Sequence, residues 1–266
     1  MNILRMTRDL LVDPRLKGID INSEQLLEIY NKILQEKPIM KNVFKKFYTI
    51  CRALDEKFFL GQGKRIEIGS GVSFIKKCYP DIITSDIKQA HNLDKILDAH
   101  KMNVQNSSVR GIYGINCFHH FHTPDLFFKE LQRVLVDGGG CVLIEPHYGI
   151  LASYFYKNLH ESEHFNKKQI GWNESDINLT GANQALSYII FNRDKALFLK
   201  QYNNLQIVYE KPLNNYLQYF LSGALTFRQL VPSYFLSLLK LTETALLPFD
   251  HIFALHHVYV IRKNKI

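Results

Sequence analysis

Apolar residues recur along this chain at two spacings, and the change from one to the other falls near residue 61. In the first sixty residues the period is helical. Leu26, Leu27, Tyr30, Ile33 and Leu34 share one face, and so do Val43, Phe44, Phe47, Ile50, Cys51 and Leu54. Asn22 with Gln25 three positions later makes a capping-box pattern for the first helix, and Pro38 suits the first position of the second. After Gly61 and Gly63, short apolar runs alternate with turns and helices. Strands are expected at 65–69, 82–86, 96–99, 109–117 and 141–145, with an amphipathic helix over 124–135 and a turn at Gly138, Gly139 and Gly140. Residues 205–211 and 254–262 read as two more strands, an antiparallel pair closing the sheet edge. Strands separated by crossover helices predict an α/β fold with a doubly wound, seven-stranded, mostly parallel sheet.

Four segments follow: a helical N-terminal extension over 1–60, a core over 61–146, a helical covering insertion over 147–203, and the last two strands over 204–266. The last segment holds an apolar helical insertion, 212–250, whose only formal charges are Arg228, Lys240, Glu243 and Asp250. Leu213, Tyr216, Leu217, Phe220 and Leu221 keep helical spacing there, as do Phe235, Leu238, Leu239 and Leu246. Such a stretch buries its apolar side against the domain, a second copy of the chain or a bilayer surface.

Composition narrows the picture. A chain of 266 residues that is 46% apolar has enough for one large packed domain, which excludes a disordered or fibrous class. The 33 Lys and Arg against 25 Asp and Glu leave a net charge of +8. That balance suits phosphates, acidic glycans or an anionic membrane surface, and it equally suits a solvated surface that only aids solubility. Cys51, Cys78, Cys117 and Cys141 are widely spaced and read as reduced thiols of a cytoplasmic protein. Charged residues from Arg5 onward leave no secretory apolar core, and no run reaches spanning length. A soluble protein, or one peripheral on the inner membrane face, is expected.

Candidate chemistry begins at Glu67-Ile68-Gly69-Ser70-Gly71, where a strand ends in glycines that let backbone approach a ligand. A dinucleotide fingerprint wants a small residue three positions after the second glycine, and Phe74 stands there instead. Asp86 ends the next strand, where a carboxylate can take both hydroxyls of a ribose.

With Asp98-Ala99 after the third strand, Asn106-Ser107-Ser108 leading to His119-His120, and Arg133-Val134-Leu135 before Gly138-Gly139, residues 65 to 146 resemble the S-adenosylmethionine (SAM)-dependent methyltransferases of the type 11 group. These motifs cover about a third of the chain. The resemblance implies a Rossmann-like class I fold and SAM as cofactor. Glu67, Gly69, Ser70 and Gly71 would then line its amino acid end, Asp86 would hold the ribose, Asp98 and Ala99 would face the adenine, and Asn116 would border the sulfonium. One departure is plain: about a dozen residues separate Asp86 from Asp98, so the usual helix there is shortened or lost.

Methyl transfer needs an aligned acceptor and, for a hydroxyl or amine, a group that takes its proton. His147, after Glu145-Pro146, is the preferred base, with His119, His120 and His160 as further candidates; Glu163-His164 lies on the same insertion. No metal is expected, because adjacent histidines such as His119 and His120 at a loop–helix start rarely converge on one ion. Glu145-Pro146, 159–161, 181–194 and 221–228 more loosely resemble a bacterial subgroup linked with surface polysaccharide or lipopolysaccharide assembly. That resemblance implies a glycan or lipid-linked glycan acceptor, methylated on a sugar hydroxyl and contacted by Asn183, Gln184, Arg193 and Arg228. Alternatives are a small lipophilic acceptor of quinone or fatty acyl type, and a catalytically idle SAM-binding partner subunit. Nucleic acid is disfavoured, since no RNA-binding module, Asn-Pro-Pro motif or basic tail is present. A homodimer through 212–250 remains open.

Overall fold

Both spacings become structure in the computed structural model of the chain, which describes residues 10–20, 23, 25–90, 93–158, 163–173 and 181–265. The helical period forms α1 (Gln25–Glu36) and α2 (Pro38–Phe58), with Pro38 in the first turn of α2. Asn22, the expected cap of α1, lies outside the described residues. The alternating region then lays down β1 (Lys64–Ile68), α3 (Ile75–Cys78), β2 (Ile82–Asp86), β3 (Lys95–Ile96) and β4 (Val109–Ile115). Next come α4 (Pro124–Val134), β5 (Leu135–Pro146), α5 (Ile150–Asn158), α6 (Lys195–Gln201), β6 (Leu205–Asn214), α7 (Tyr216–Leu221), α8 (Leu236–Ala245) and β7 (Ala254–Lys263).

The seven strands form one sheet in the order β3-β2-β1-β4-β5-β7-β6. β1 to β5 pair in parallel, and β7 runs antiparallel between β5 and β6. This is the doubly wound Rossmann-like arrangement expected, with the antiparallel pair at one edge. Successive strand residues serve opposite faces. Ile112, Cys141, Leu143 and Tyr259 pack under α4, α5 and α6, whereas Tyr113, Val142, Ile144 and Val258 pack under α2. A sheet covered on both faces reads as continuous apolar runs, which is why its strands are so visible in the sequence.

Three elements differ from expectation. The triple glycine is not a turn before β5: the strand runs through it, and residues 136–139 bulge between the pairs Val109–Leu135 and Gly111–Gly140. Gly138 makes this bulge with φ of +76°. β3 is only two residues long, and no helix is found among the described residues between β2 and β3. The insertion 212–250 begins as strand, since β6 continues to Asn214. No helix of the described residues is long and apolar enough to cross a membrane.

Candidate functional site

The carboxyl ends of β1, β2, β4 and β5 open onto a cavity of about 740 Å³, inside the roughly 300–1,000 Å³ usual for small-molecule sites. Helices from outside the sheet roof it: Leu26, Leu27 and Tyr30 of α1, Phe44 of α2, and Phe155 and Tyr156 of α5. Tyr219 and Phe220 of α7 and residues 223–227 close one end.

At the β1 end the chain turns through Gly69, with φ of +61°. A Cβ there would lie 2.5 Å from the Cβ of Cys117, so only glycine fits. Ser70 ties this turn to β2: its N–H donates to the Ser85 carbonyl (2.9 Å), and its Oγ accepts the Ser85 N–H (3.1 Å). Asp86 accepts the Gly71 N–H on Oδ2 (2.9 Å) and the Lys88 N–H on Oδ1 (3.1 Å). Each oxygen keeps a further lone pair for a ligand hydroxyl. Asp98 and Ala99 line the same cavity, where Asp98 Oδ1 accepts the His100 N–H at 2.8 Å.

Glu67 departs from its expected place. It is not on the cavity wall but buried beneath the turn. Burial raises its carboxyl to about 7, against the lowering effect of bonds from the Ser70 and Ser73 hydroxyls.

Asn116, at the exit of β4, holds a left-handed backbone with φ of +49° and lines the cavity. Such a conformation in a non-glycine residue is typical of functional sites. Its amide meets Nε2 of His256 (3.1 Å), whose Nδ1 meets the Asn215 amide nitrogen (2.8 Å). Burial lowers His256 to about 3, so the ring is neutral and accepts at one nitrogen only. Asn215 already gives its oxygen to the Leu255 N–H (3.3 Å), so Nδ1 is the acceptor and Nε2–H donates. Asn116 meets that ring through its amide, whose other polar atom is buried without a hydrogen-bond partner among the described residues.

The candidate bases separate sharply. His147 does not line the cavity. Its ring lies against His257, Nδ1 to Nδ1 at 3.1 Å, and burial lowers it to about 4. The expectation that His147 serves as base is thus corrected by its direction. His119 does reach the cavity, but as a charged group. Burial alone would lower it, yet the carboxylates of Glu145 (Nδ1, 2.6 Å) and Glu163 (Nε2, 3.2 Å) hold it at about 10. An imidazolium cannot accept a proton, so His119 is not the base in this state. His120 lines the cavity with its Nε2 3.7 Å from Glu163. His160 lies outside the described residues.

Glu163 is the carboxylate that the cavity wall presents beside these rings, and Gln184 donates to its Oε2 at 2.7 Å. The other expected acceptor contacts are committed elsewhere. Asn183 bonds Asn166 and Ala185 (both 3.0 Å), and Arg193 bonds Asp194 and the carbonyls of Lys167 and Gln169. Neither they nor Arg228 line the cavity. The roof residues of α1 and α7, notably Tyr30 and Tyr219, were legible only as core-facing positions of amphipathic helices; their period says that a face is buried, not that a ligand shares it.

Residues 80–143 match the family model described as a methyltransferase domain. No curated protein matches the sequence significantly. Among solved structures, geranyl diphosphate C-methyltransferase from Streptomyces coelicolor, bound to Mg²⁺, geranyl diphosphate and S-adenosylhomocysteine, is 13% identical. The match covers 96% of this chain and 89% of that one, with a TM-score of 0.47. A SAM-dependent methyltransferase from Mesorhizobium loti is 11% identical over 79% of this chain and 96% of its own, with a TM-score of 0.44. Phosphoethanolamine N-methyltransferase 2 from Haemonchus contortus, bound to SAM, is 11% identical over 82% of this chain, with a TM-score of 0.41. The chain spans only 53% of that protein.

Proposed function

We propose that this chain is a SAM-dependent methyltransferase whose acceptor is a small lipophilic molecule with one reactive hydroxyl or amine. The observation that carries the reading is the continuity of one cavity. It joins the Gly69–Gly71 turn and Asp86 to an apolar chamber in which Glu163, His119 and His120 are grouped. The sharp turn at Gly69, the two-oxygen acceptor Asp86 and the cavity-lining Asn116 all fit SAM. Bound there, SAM supplies a methyl group on a sulfonium centre. Glu163 takes the proton of the acceptor while the aromatic roof excludes water.

A bare glycan finds little support, because Asn183 and Arg193 are spent on internal bonds, Arg228 does not line the cavity, and the chamber walls include Leu26, Met40, Phe155 and Phe220. An idle partner subunit would have no use for the buried Glu145–His119–Glu163 array on the acceptor side. Calorimetry tests the core of the reading. SAM or its demethylated product should bind with one site per chain, and NAD should not; the reverse pattern would overturn it.

A further inference from the structure

On the cavity wall, His119, His120 and Glu163 each offer one ligand atom, and the three atoms all lie within 4.8 Å of one another. None of the three belongs to the Gly69–Asp86 side of the cavity. We propose that they form a binding site for one divalent transition-metal ion of the Zn²⁺ type, with its open coordination position facing the acceptor chamber.

The distances suit such an ion. Ligands about 2.0–2.2 Å from a tetrahedral centre are separated by roughly 3.3–3.5 Å. His119 Nε2 lies 3.2 Å from Glu163 Oε2, and His120 Nε2 lies 3.7 Å from Glu163 Oε1. Adjacent histidines diverge on a strand. Here the 3₁₀ turn Phe118–His120 brings their ring centroids to 4.3 Å with the planes at 37°. This local geometry answers the objection that neighbouring histidines rarely converge.

The surroundings have the form of a support for metal ligands. Glu145 accepts the Nδ1–H of His119 at 2.6 Å, which leaves Nε2 as the nitrogen aimed at the cavity. Carboxylate–histidine pairs of this kind fix the tautomer and raise the basicity of metal-bound imidazoles. Glu145 is itself pinned by the N–H groups of Cys117 (3.0 Å), Phe118 (2.9 Å) and His119 (3.2 Å), so it cannot turn to bind an ion directly. Gln184 orients Glu163 in the same manner. Two imidazoles and a single carboxylate select a Zn²⁺-type ion over Mg²⁺ or Ca²⁺, which prefer all-oxygen shells. Three protein ligands leave a position free, as in catalytic rather than structural sites. The proposed function enters only in naming the acceptor's oxygen or nitrogen as the group that fills it.

The test is a titration of chelator-treated, tag-free protein with Co²⁺ and Zn²⁺. Co²⁺ should bind once per chain with the intense visible absorption of a four- or five-coordinate site, and Zn²⁺ should displace it. His120→Ala, which removes a partly exposed ring, and Glu163→Gln should each weaken Co²⁺ binding at least 100-fold. Glu145→Gln should weaken it about 10- to 100-fold, and His122→Ala should leave it unchanged. SAM calorimetry on the same proteins reports folding and the cofactor reading separately. Intact SAM binding with no stoichiometric Co²⁺ site, or equal Co²⁺ affinity in His120→Ala and the parent, would overturn the metal site and leave an ion pair. Stoichiometric Co²⁺ binding without SAM binding would uphold the metal site and overturn the cofactor reading instead.

Discussion

The N–H of Gly71 donates to Oδ2 of Asp86 at 2.9 Å, so the tip of the glycine turn and the end of β2 are held as one unit. Removing the carboxylate both loosens the turn and deletes the acceptor for ribose hydroxyls. Asp86→Ala should weaken SAM binding by about 1.5–3 kcal/mol, the usual worth of hydrogen bonds to a charged group. Calorimetry on folded variant protein measures it; an unchanged affinity would remove Asp86 from the site.

Glu163 and His147 should separate in kinetics. Glu163→Gln keeps the shape but cannot take a proton, and turnover should fall about 10²–10⁴-fold with SAM affinity nearly unchanged. His147→Ala should leave turnover per folded molecule within a few-fold, since its ring faces His257 and not the cavity. Steady-state rates corrected for the folded fraction decide this, and a larger loss in His147→Ala would restore it as base.

Asp55 of α2 is fully buried and bonds Arg110 (2.7 Å), Arg65 (3.1 Å) and the Tyr113 hydroxyl (2.7 Å). It thereby locks α2 to β1 and β4. Breaking a buried pair from one side leaves the partner charges uncompensated, at a cost of about 3–5 kcal/mol. Asp55→Ala should lose that much in urea unfolding; a loss below 1 kcal/mol would mean that the arginines find water instead.

Acid should destabilise the fold before its carboxylates titrate. Burial lowers His147 to about 4 and His256 and His257 to about 3, from an ordinary 6.5. The unfolded chain therefore takes up protons first, and stability that is full above pH 6.5 drains away as the pH falls toward 4. Glu67, raised to about 7, acts oppositely, losing stability as the pH rises from 4.5. Three imidazoles outweigh one carboxyl, so stability should fall by roughly 2 kcal/mol per pH unit between pH 6 and 5. Urea midpoints at pH 5, 6 and 7 measure the slope, and a flat profile would show that these rings are solvated.

Leu230 at the cavity edge leads into a run of exposed apolar side chains that includes Tyr234 (78% exposed), Leu238 (54%) and Leu241 (67%). A lipophilic acceptor drawn from a bilayer would give this face its use, aided by the +8 charge. Flotation with anionic vesicles should carry the protein upward at low salt, and Leu238→Glu with Leu241→Glu should abolish it. No flotation at any salt would leave these side chains as plain surface.

Much of the architecture was written in local pattern. The two apolar periods place α1, α2, six of the seven strands and the end of β5 within a few residues, because helix and strand spacing and two-sided burial are properties of neighbouring positions. Gly69, Gly71 and Asp86 were legible for the same reason: a sharp turn and a strand end need particular residues at fixed offsets. The run of β5 through Gly138 was not, since a bulge depends on the partner strand that it pairs with.

The site's acceptor half lay beyond any local pattern. His119 and His147 look equivalent in the chain, two histidines near strand ends. Their difference comes from Glu145 and Glu163 closing on one ring and His257 on the other, across separations of 26 to 110 residues. Direction and charge of a buried side chain are set by what packs around it, and those partners meet only when the sheet is assembled.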